Sequence, residues 1–240
     1  MSLSEYCVMV FEGFPVHGVT SLDNQLYVLR DKTLDHIEVY DMQTDRLLRQ
    51  FPVPGLDSMS DMTACAYHVC IYISSGSGKC VHRVAVSGND VTKWSVNDVA
   101  GCLSVTDTHT VLVMCDKKFK EFTTNGKLLR QIKLPQEVKS PWHSIQLSCG
   151  EFVVCHGDAT DPVHGVCLIG SRGHVVKSYG GPKASVSQQI DVPAHLAVDR
   201  NGFVFMADYY NRRVLLLSPD LTYVKLCHVN SSNGIHEDCS

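Results

Sequence analysis

Three histidines share a position that could support metal chemistry. His17, His143 and His195 each stand two residues after a proline, at the beginning of a short apolar segment. If these segments are equivalent units of a ring, the three imidazoles converge on its central channel. A catalytic zinc ion accepts three protein ligands and keeps an open position. The sequence therefore offers one candidate metal site, formed by His17, His143 and His195.

A second cluster of chemically capable residues lies in the segment CHGDATDPVHG, residues 155–165. It alternates histidine and carboxylate at His156, Asp158, Asp161 and His164, a pattern compatible with a divalent ion. An ordinary polar loop with a proline turn explains the same pattern, and we favour it because no further ligands are evident. The length of the segment makes it a plausible contact element, since loops on a rigid scaffold commonly carry recognition.

The elements that must position these residues are short β-strands in a fivefold repeat. Apolar second strands begin about 40–50 residues apart, the spacing of β-propeller blades; they start at Leu26, Ile71, Val111, Phe152 and Val204. Each is followed by two more short strands around a turn, and nothing between the units has the periodicity of a crossover helix. The pattern predicts an all-β chain, a β-propeller of four-stranded antiparallel blades with five blades recognisable.

The repeat also predicts the domain organisation. Residues 14–229 form the propeller, residues 1–13 contain an N-terminal strand, and residues 230–240 form a polar C-terminal tail. The strand at 6–11 would supply part of a sixth blade or latch onto the last one. Alternatively, the polar tail marks the place where a sixth blade is absent.

Composition narrows the partners and the compartment. The formal net charge of −4 gives no general attraction to phosphate backbones, so DNA is not expected as a partner. No apolar run approaches the roughly 20 residues of a membrane span, and no basic segment followed by an apolar core marks a signal peptide. Eleven scattered cysteines without a CxxC pair indicate reduced thiols, and we expect a cytosolic protein.

The last blade carries the most specific pattern. Residues 192–220, VPAHLAVDRNGFVFMADYYNRRVLLLSPD, resemble the NHL repeat, in which a proline, Asp-x-x-Gly, an aspartate and Asn-x-Arg recur at fixed places. The matching residues are Pro193, Asp199, Gly202, Asp208, Asn211 and Arg213. NHL repeats usually close as six-bladed rings. Similar domains stand at the C-terminal end of tripartite-motif ubiquitin ligases and bind protein or RNA. No RING or B-box zinc spacing is present here, so the resemblance implies a recognition module.

We therefore expect a non-catalytic domain without a cofactor, which binds a protein or peptide partner on the face near the channel. Exposed aromatic side chains beside a rigid channel mouth are typical of binding hot spots. The residues expected on this face are His17, Trp142, His143, His156, Asp158, His164, His195, Tyr209 and Tyr210.

RNA is an alternative ligand. Basic residues cluster in the third blade with Phe119 and Phe122 between them; they are Lys117, Lys118, Lys120, Lys127, Arg130 and Lys133. The third and fourth strands of a blade alternate polar and apolar residues at its outer edge, and the basic residues spread over both strands and the turn. We therefore favour a solvated rim over a nucleic-acid groove.

A zinc-dependent lyase is the second alternative. The three histidines resemble the zinc site of the peptidyl-hydroxyglycine amidating lyases, which use a related propeller. In that family the histidine directly follows the proline, whereas Val16, Trp142 and Ala194 stand there in this chain. Because a shift of one residue turns a strand side chain to the opposite face, we expect no stoichiometric zinc.

Overall fold

The chain consists of β-strands joined by turns. The structure, a computed structural model, describes residues 16–30, 36–57, 60–182, 189–230 and 234–237. All regular structure in these ranges is β-strand. Accordingly, the described residues include no helix with the length and apolarity needed to span a membrane.

The strands group into five blades, numbered here in chain order from the innermost strand outward. Blade 1 contains β1 (Val16–Leu22), β2 (Gln25–Arg30), β3 (His36–Asp41) and β4 (Leu47–Pro52). Blade 2 contains β5 (Met62–Cys65), β6 (Cys70–Ser75), β7 (Cys80–Ala85) and β8 (Val91–Ser95). Blade 3 contains β9 (Leu103–Val105), β10 (Val111–Cys115), β11 (Lys118–Phe122) and β12 (Leu128–Lys133). Blade 4 contains β13 (Pro141–Gln146), β14 (Phe152–His156), β15 (Val163–Ile169) and β16 (Val175–Pro182). Blade 5 contains β17 (Pro193–Val198), β18 (Val204–Asp208), β19 (Arg213–Leu217), β20 (Tyr223–Asn230) and β21 (Gly234–Glu237).

Within each blade the strands pair antiparallel with their neighbours in the sequence. This topology confirms the predicted five-bladed β-propeller. Blade 5 has one more strand than the others, because β21 pairs with the outer edge of β20 in a segment where the sequence predicts a polar tail. The predicted strand at 6–11 lies outside the described residues.

Apolar packing between consecutive blades forms the core. The burial pattern of β10, five consecutive buried residues, shows why: both faces of a central strand are covered by neighbouring blades. Separate clusters of buried side chains join blade 1 to blade 2, blade 2 to blade 3, blade 3 to blade 4 and blade 4 to blade 5. Among the described residues, none of these clusters joins blade 5 to blade 1.

In blades 2 and 3 the tight turn between the third and fourth strands packs against an aromatic ring of the blade before it. Gly88, in the β7–β8 turn, has φ of 76°, and a Cβ atom there would lie 2.6 Å from Cγ of Phe51 in blade 1. Gly126 in blade 3 has φ of 80° and is covered in the same way by Trp94 of blade 2. Glycine is required at these turns for two reasons, the left-handed backbone and the aromatic ring against it.

These contacts predict that Gly88→Ala lowers the free energy of unfolding by about 2–4 kcal/mol, because left-handed strain and steric overlap with Phe51 add together. The matched control is Gly150→Ala, where φ is 86° but no atom lies within 4 Å of the added Cβ. Only the backbone strain of about 1–2 kcal/mol applies there. Urea unfolding of the two variants measures the difference, and equal losses would show that the added Cβ atom does not overlap with Phe51.

Candidate functional site

A β-bulge at the start of the first strand determines which side chains reach the centre of the propeller. In β1, β13 and β17 the register with the second strand shifts by one residue, which makes His17, Trp142 and Ala194 the extra residues of their strands. A bulge re-aims the side chains around it. His17 is therefore equivalent to Trp142 and Ala194, and not to His143 and His195.

The residues that follow the bulge occupy one equivalent position around the ring. Gly18 pairs with Leu29, His143 with Cys155 and His195 with Ala207. In blades 2 and 3 the place is taken by Asp61 and Cys102, whose carbonyls accept the amides of Ser74 and Met114, each at 2.9 Å. We call this set the channel row; it contains Gly18, Asp61, Cys102, His143 and His195.

The channel row corrects the sequence-based alignment, which made His17 equivalent to His143 and His195. His17 lies one position before Gly18, the residue of blade 1 that belongs to the row. The extra residue at the bulge of β1 accounts for the displacement of His17. His17 therefore does not share the ring position of His143 and His195, and Asp61 places a carboxylate in the row that the sequence did not indicate.

Three members of the channel row come together. Asp61, His143 and His195 each offer a potential ligand atom, and these atoms all lie within 4.8 Å of one another. The imidazole rings of His143 and His195 are 3.9 Å apart between centroids, and His195 Nε2 lies 3.7 Å from Asp61 Oδ1. Asp61 and His143 are buried, whereas the side chain of His195 is 49% exposed. The cluster is thus reached from solvent on the side of His195.

Hydrogen bonding determines the tautomer of His143. Its Nε2 lies 3.1 Å from the carbonyl oxygen of Leu103, which can only accept, so Nε2 carries the proton. Its Nδ1 is buried and makes no hydrogen bond among the described residues. Burial, and next the proximity of His195, lower the pKa of His143 to about 3. The ring is neutral at physiological pH, with an unused lone pair on Nδ1.

The carboxylate of Asp61 stays ionised despite its burial. Burial by itself would raise its pKa, but the close approach of the His195 and His143 imidazoles and the hydrogen bond from the Leu103 amide hold the pKa below its usual range. The Leu103 amide donates to Oδ2 at 2.8 Å, which links blade 3 to blade 2. Burial and the charge of Asp61 raise the pKa of the adjacent Cys102 thiol.

A cleft opens on the same end of the propeller. This end carries the starts of the first strands and the loops that join second strands to third strands. Trp142, Tyr209 and Tyr210 line it, and their exposed fractions are 44%, 64% and 55%. The volume of this aromatic cleft is about 460 Å³. The remaining lining residues are Asp158, Ala159, Thr160, Val192 and Ala194. The bulge residues of β13 and β17 thus both contribute to the aromatic cleft.

The polar residues of the NHL-like pattern hold one wall of the aromatic cleft in place. The buried carboxylate of Asp208 accepts from the Asp191 amide at 2.7 Å and from Nε of Arg213 at 2.6 Å. Asn211 donates to the Gln189 carbonyl at 2.8 Å, and Arg213 does so at 2.6 Å. These bonds tie the connection before β17 to the loop that carries both tyrosines. Asp208, Asn211 and Arg213 therefore support the wall of the cleft without being among its lining residues.

His164 supports the opposite wall. It is fully buried, and its Nδ1 accepts the Val192 amide at 3.1 Å. Its Nε2 therefore carries the proton and donates to the Asp158 carbonyl at 2.6 Å. His156 is also buried, with Nε2 lying 3.2 Å from Sγ of Cys167. Of the residues expected on the partner face, His143, His156 and His164 thus lie beneath the surface.

Part of the basic cluster of blade 3 makes contacts within the chain. Lys120 is buried, and its Nζ donates to the Val96 carbonyl at 2.8 Å. Lys118 Nζ lies 2.8 Å from a carboxylate oxygen of Asp98. Phe119 and Phe122 point into the core, so they offer no ring on which a base could stack.

No family model and no curated protein matches this chain. Among solved structures it is similar to a protein of unknown function from Bacteroides caccae, with 14% identity and a TM-score of 0.63 over 90% of this chain and 82% of that one. It is similar to virginiamycin B lyase from Staphylococcus aureus, with 11% identity and a TM-score of 0.66 over 93% and 83%. Hydrazine synthase from Kuenenia stuttgartiensis is similar at 13% identity, with a TM-score of 0.62 over 90% and 81%. These identities show the β-propeller fold alone, a fold found in enzymes and in proteins of unknown function.

Burial of His156 predicts a pH-dependent stability. Burial lowers its pKa below the value of about 6.5 expected in the unfolded chain. Unfolding therefore takes up a proton in mild acid, and the stability present above pH 6.5 is lost as the pH falls through the lower folded pKa. We expect wild-type protein to lose more stability between pH 7.5 and pH 5.5 than His156→Gln, as measured by urea unfolding at both values.

The same substitution at exposed His36 is the matched control, and we expect it to retain the wild-type loss. If His156→Gln loses as much stability as wild type over this range, the buried imidazole does not take up a proton on unfolding.

Proposed function

We propose that this chain is a recognition module that binds a peptide segment or loop of a partner protein in the aromatic cleft. The observation that carries the proposal is the convergence of Trp142, Tyr209 and Tyr210 around one open cleft on a rigid scaffold. Large aromatic side chains dominate binding hot spots because they bury much apolar area at a small cost in conformational entropy.

The charge of the cleft favours a basic anchor residue in the partner. Asp158 lines the cleft, and its hydrogen bonds from Thr160 hold the pKa of its carboxyl below the usual range. A cation placed over an aromatic face near a carboxylate gains from both the ring quadrupole and the negative charge. The formal net charge of −4 adds a weaker attraction of the same sign. We therefore propose lysine or arginine as the anchor of the partner segment.

The NHL resemblance of blade 5 supports recognition over catalysis, since its polar residues build the cleft wall. The likeness to virginiamycin B lyase supplies no reaction, because one fold carries unrelated activities at different sites. RNA binding receives less support, because Lys118 and Lys120 are engaged by Asp98 and Val96.

We also propose that the protein works in a reducing compartment such as the cytosol. The eight cysteines with described side chains are all free thiols. Structural thiols that persist without pairing are typical of proteins in the cytosol.

The binding proposal predicts the outcome of a peptide-display selection. Wild-type protein should enrich peptides that contain lysine or arginine. The selected peptides should bind Trp142→Ala and Tyr210→Ala on the order of tenfold more weakly or worse, the usual effect of truncating a hot-spot aromatic. Tyr67→Ala is the matched control, because Tyr67 is 70% exposed but lies in the turn after β5, on the opposite end of the propeller.

Pull-downs from cell extract with the same three variants test whether natural partners use this cleft, and nuclease treatment separates RNA-mediated capture from protein binding. If both cleft variants retain the peptides and partners of the wild type, the placement of the binding site is wrong.

A further inference from the structure

The channel row contains a donor set that the binding proposal does not use. Asp61, His143 and His195 come from blades 2, 4 and 5, and their potential ligand atoms share a volume no more than 4.8 Å across. Two imidazoles and one carboxylate, with room for further ligands, form a common protein site for zinc and for iron(II). The group is not a surface accident, because Asp61 is 7% exposed and His143 is 1% exposed.

The state of His143 is the one that a metal ligand needs. Its Nε2 proton is donated to the Leu103 carbonyl, and its buried Nδ1 finds no hydrogen-bond donor among the described residues. Metal-binding histidines almost always donate their second ring N–H to a carbonyl or carboxylate in this way, which orients the ring and fixes the tautomer. A buried nitrogen that makes no hydrogen bond lowers the stability of the folded protein. A metal ion bound to Nδ1 would accept its lone pair and remove this penalty.

The orientation of Asp61 is similarly prepared. Its Oδ2 accepts the Leu103 amide at 2.8 Å, while Oδ1 faces His195 Nε2 at 3.7 Å. The distance of 3.7 Å is too long for a normal hydrogen bond. The two imidazole rings have centroids 3.9 Å apart and planes tilted by 34°. A cation placed between their nitrogens and the carboxylate attracts all three groups.

We infer that Asp61, His143 and His195 form a binding site for one divalent transition-metal ion, and that zinc is the ion that best fits these donors. An ion about 2.0–2.2 Å from each donor holds the donors roughly 3–3.5 Å apart, so the group must contract by about 1 Å. His195 supplies this movement, because half of its side chain is exposed and free of packing. Two imidazoles disfavour magnesium and calcium, which prefer oxygen ligands.

This site differs from the histidine triad suggested by the sequence. His17 is a bulge residue outside the channel row, and Asp61 takes the place of the third ligand. The argument for expecting no zinc concerned only the register of three histidines, so it does not apply to the set that contains Asp61. The three protein ligands leave coordination positions on the exposed side of His195, next to the aromatic cleft.

The test is a titration of the purified, reduced, chelator-treated protein with zinc chloride by calorimetry, and with cobalt(II) by visible absorption. We expect one equivalent of either metal to bind. We expect His195→Ala to weaken binding on the order of 100-fold or more, since even second-sphere partners of a metal site are worth about 10–100-fold. Asp61→Asn should weaken metal binding similarly, because it removes the negative charge. Asparagine keeps a side-chain oxygen that can accept the Leu103 amide.

His17→Ala is the matched control, since it removes a histidine from the same end of the propeller but not from the channel row. Retention of one equivalent in His17→Ala, with loss in His195→Ala, supports the site. Circular dichroism of every variant confirms that the fold persists, and His195→Ala carries the test if Asp61→Asn fails to fold. Absence of stoichiometric binding, equal binding in His195→Ala and wild type, or loss in His17→Ala would overturn the inference. A cobalt spectrum dominated by thiolate charge transfer would overturn it too, because it would place the ion on cysteines.

Discussion

Each blade of this propeller is a small sheet with two apolar faces, and the packing of those faces against the neighbouring blades is the interaction on which everything else depends. An isolated four-stranded sheet would leave rows such as Val111–Cys115 exposed on both sides. Stacking the blades buries them in continuous clusters, for example Phe119 and Phe152, whose rings are 4.4 Å apart across the boundary between blades 3 and 4. Because repeat proteins gain stability from such neighbour contacts, the blades hold their inner strands in a fixed arrangement.

Because the inner strands are fixed, a single extra residue in a first strand changes which side chains reach the centre of the propeller. The bulge after the first residue pair of β13 and β17 sends Trp142 and Ala194 to the face of the propeller, and the next residues, His143 and His195, to its centre. In β13 and in β17, the Pro-x-His segment therefore contributes one residue to the aromatic cleft and the next residue to the channel row. The proximity of the two features follows from covalent connectivity and would persist in any variant that keeps the bulge.

Hydrogen bonds of buried and partly buried polar side chains hold the loops around the aromatic cleft, which strand pairing does not fix. Asp208 and Arg213 join the connection before β17 to the tyrosine loop, and His164 joins the same connection to the loop of Asp158. Asp208 and His164 are buried and Arg213 is partly buried, and each makes more than one hydrogen bond, as buried polar groups must if they are not to destabilise the fold. Their role is to hold exposed residues at defined positions, which is the condition for selective binding by loops.

The sequence by itself determined the strands, their order and the number of blades recognised. Short apolar segments bounded by turn residues encode these features locally, and Leu26, Ile71, Val111, Phe152 and Val204 all lie in second strands as predicted. It also drew attention to Trp142, Tyr209 and Tyr210, because exposed aromatic side chains beside a rigid channel mouth are typical of binding hot spots.

Only the tertiary structure decided which residues share a level of the ring. The register depends on bulges that no composition marks, so His17 was aligned with His143 in the sequence but is displaced from it in the fold. Asp61 was missed because it lies before its strand, and its proximity to His195 depends on packing between blades far apart in the sequence. The burial of His156 and His164 has the same origin, since whether a polar loop residue faces water depends on what folds over it.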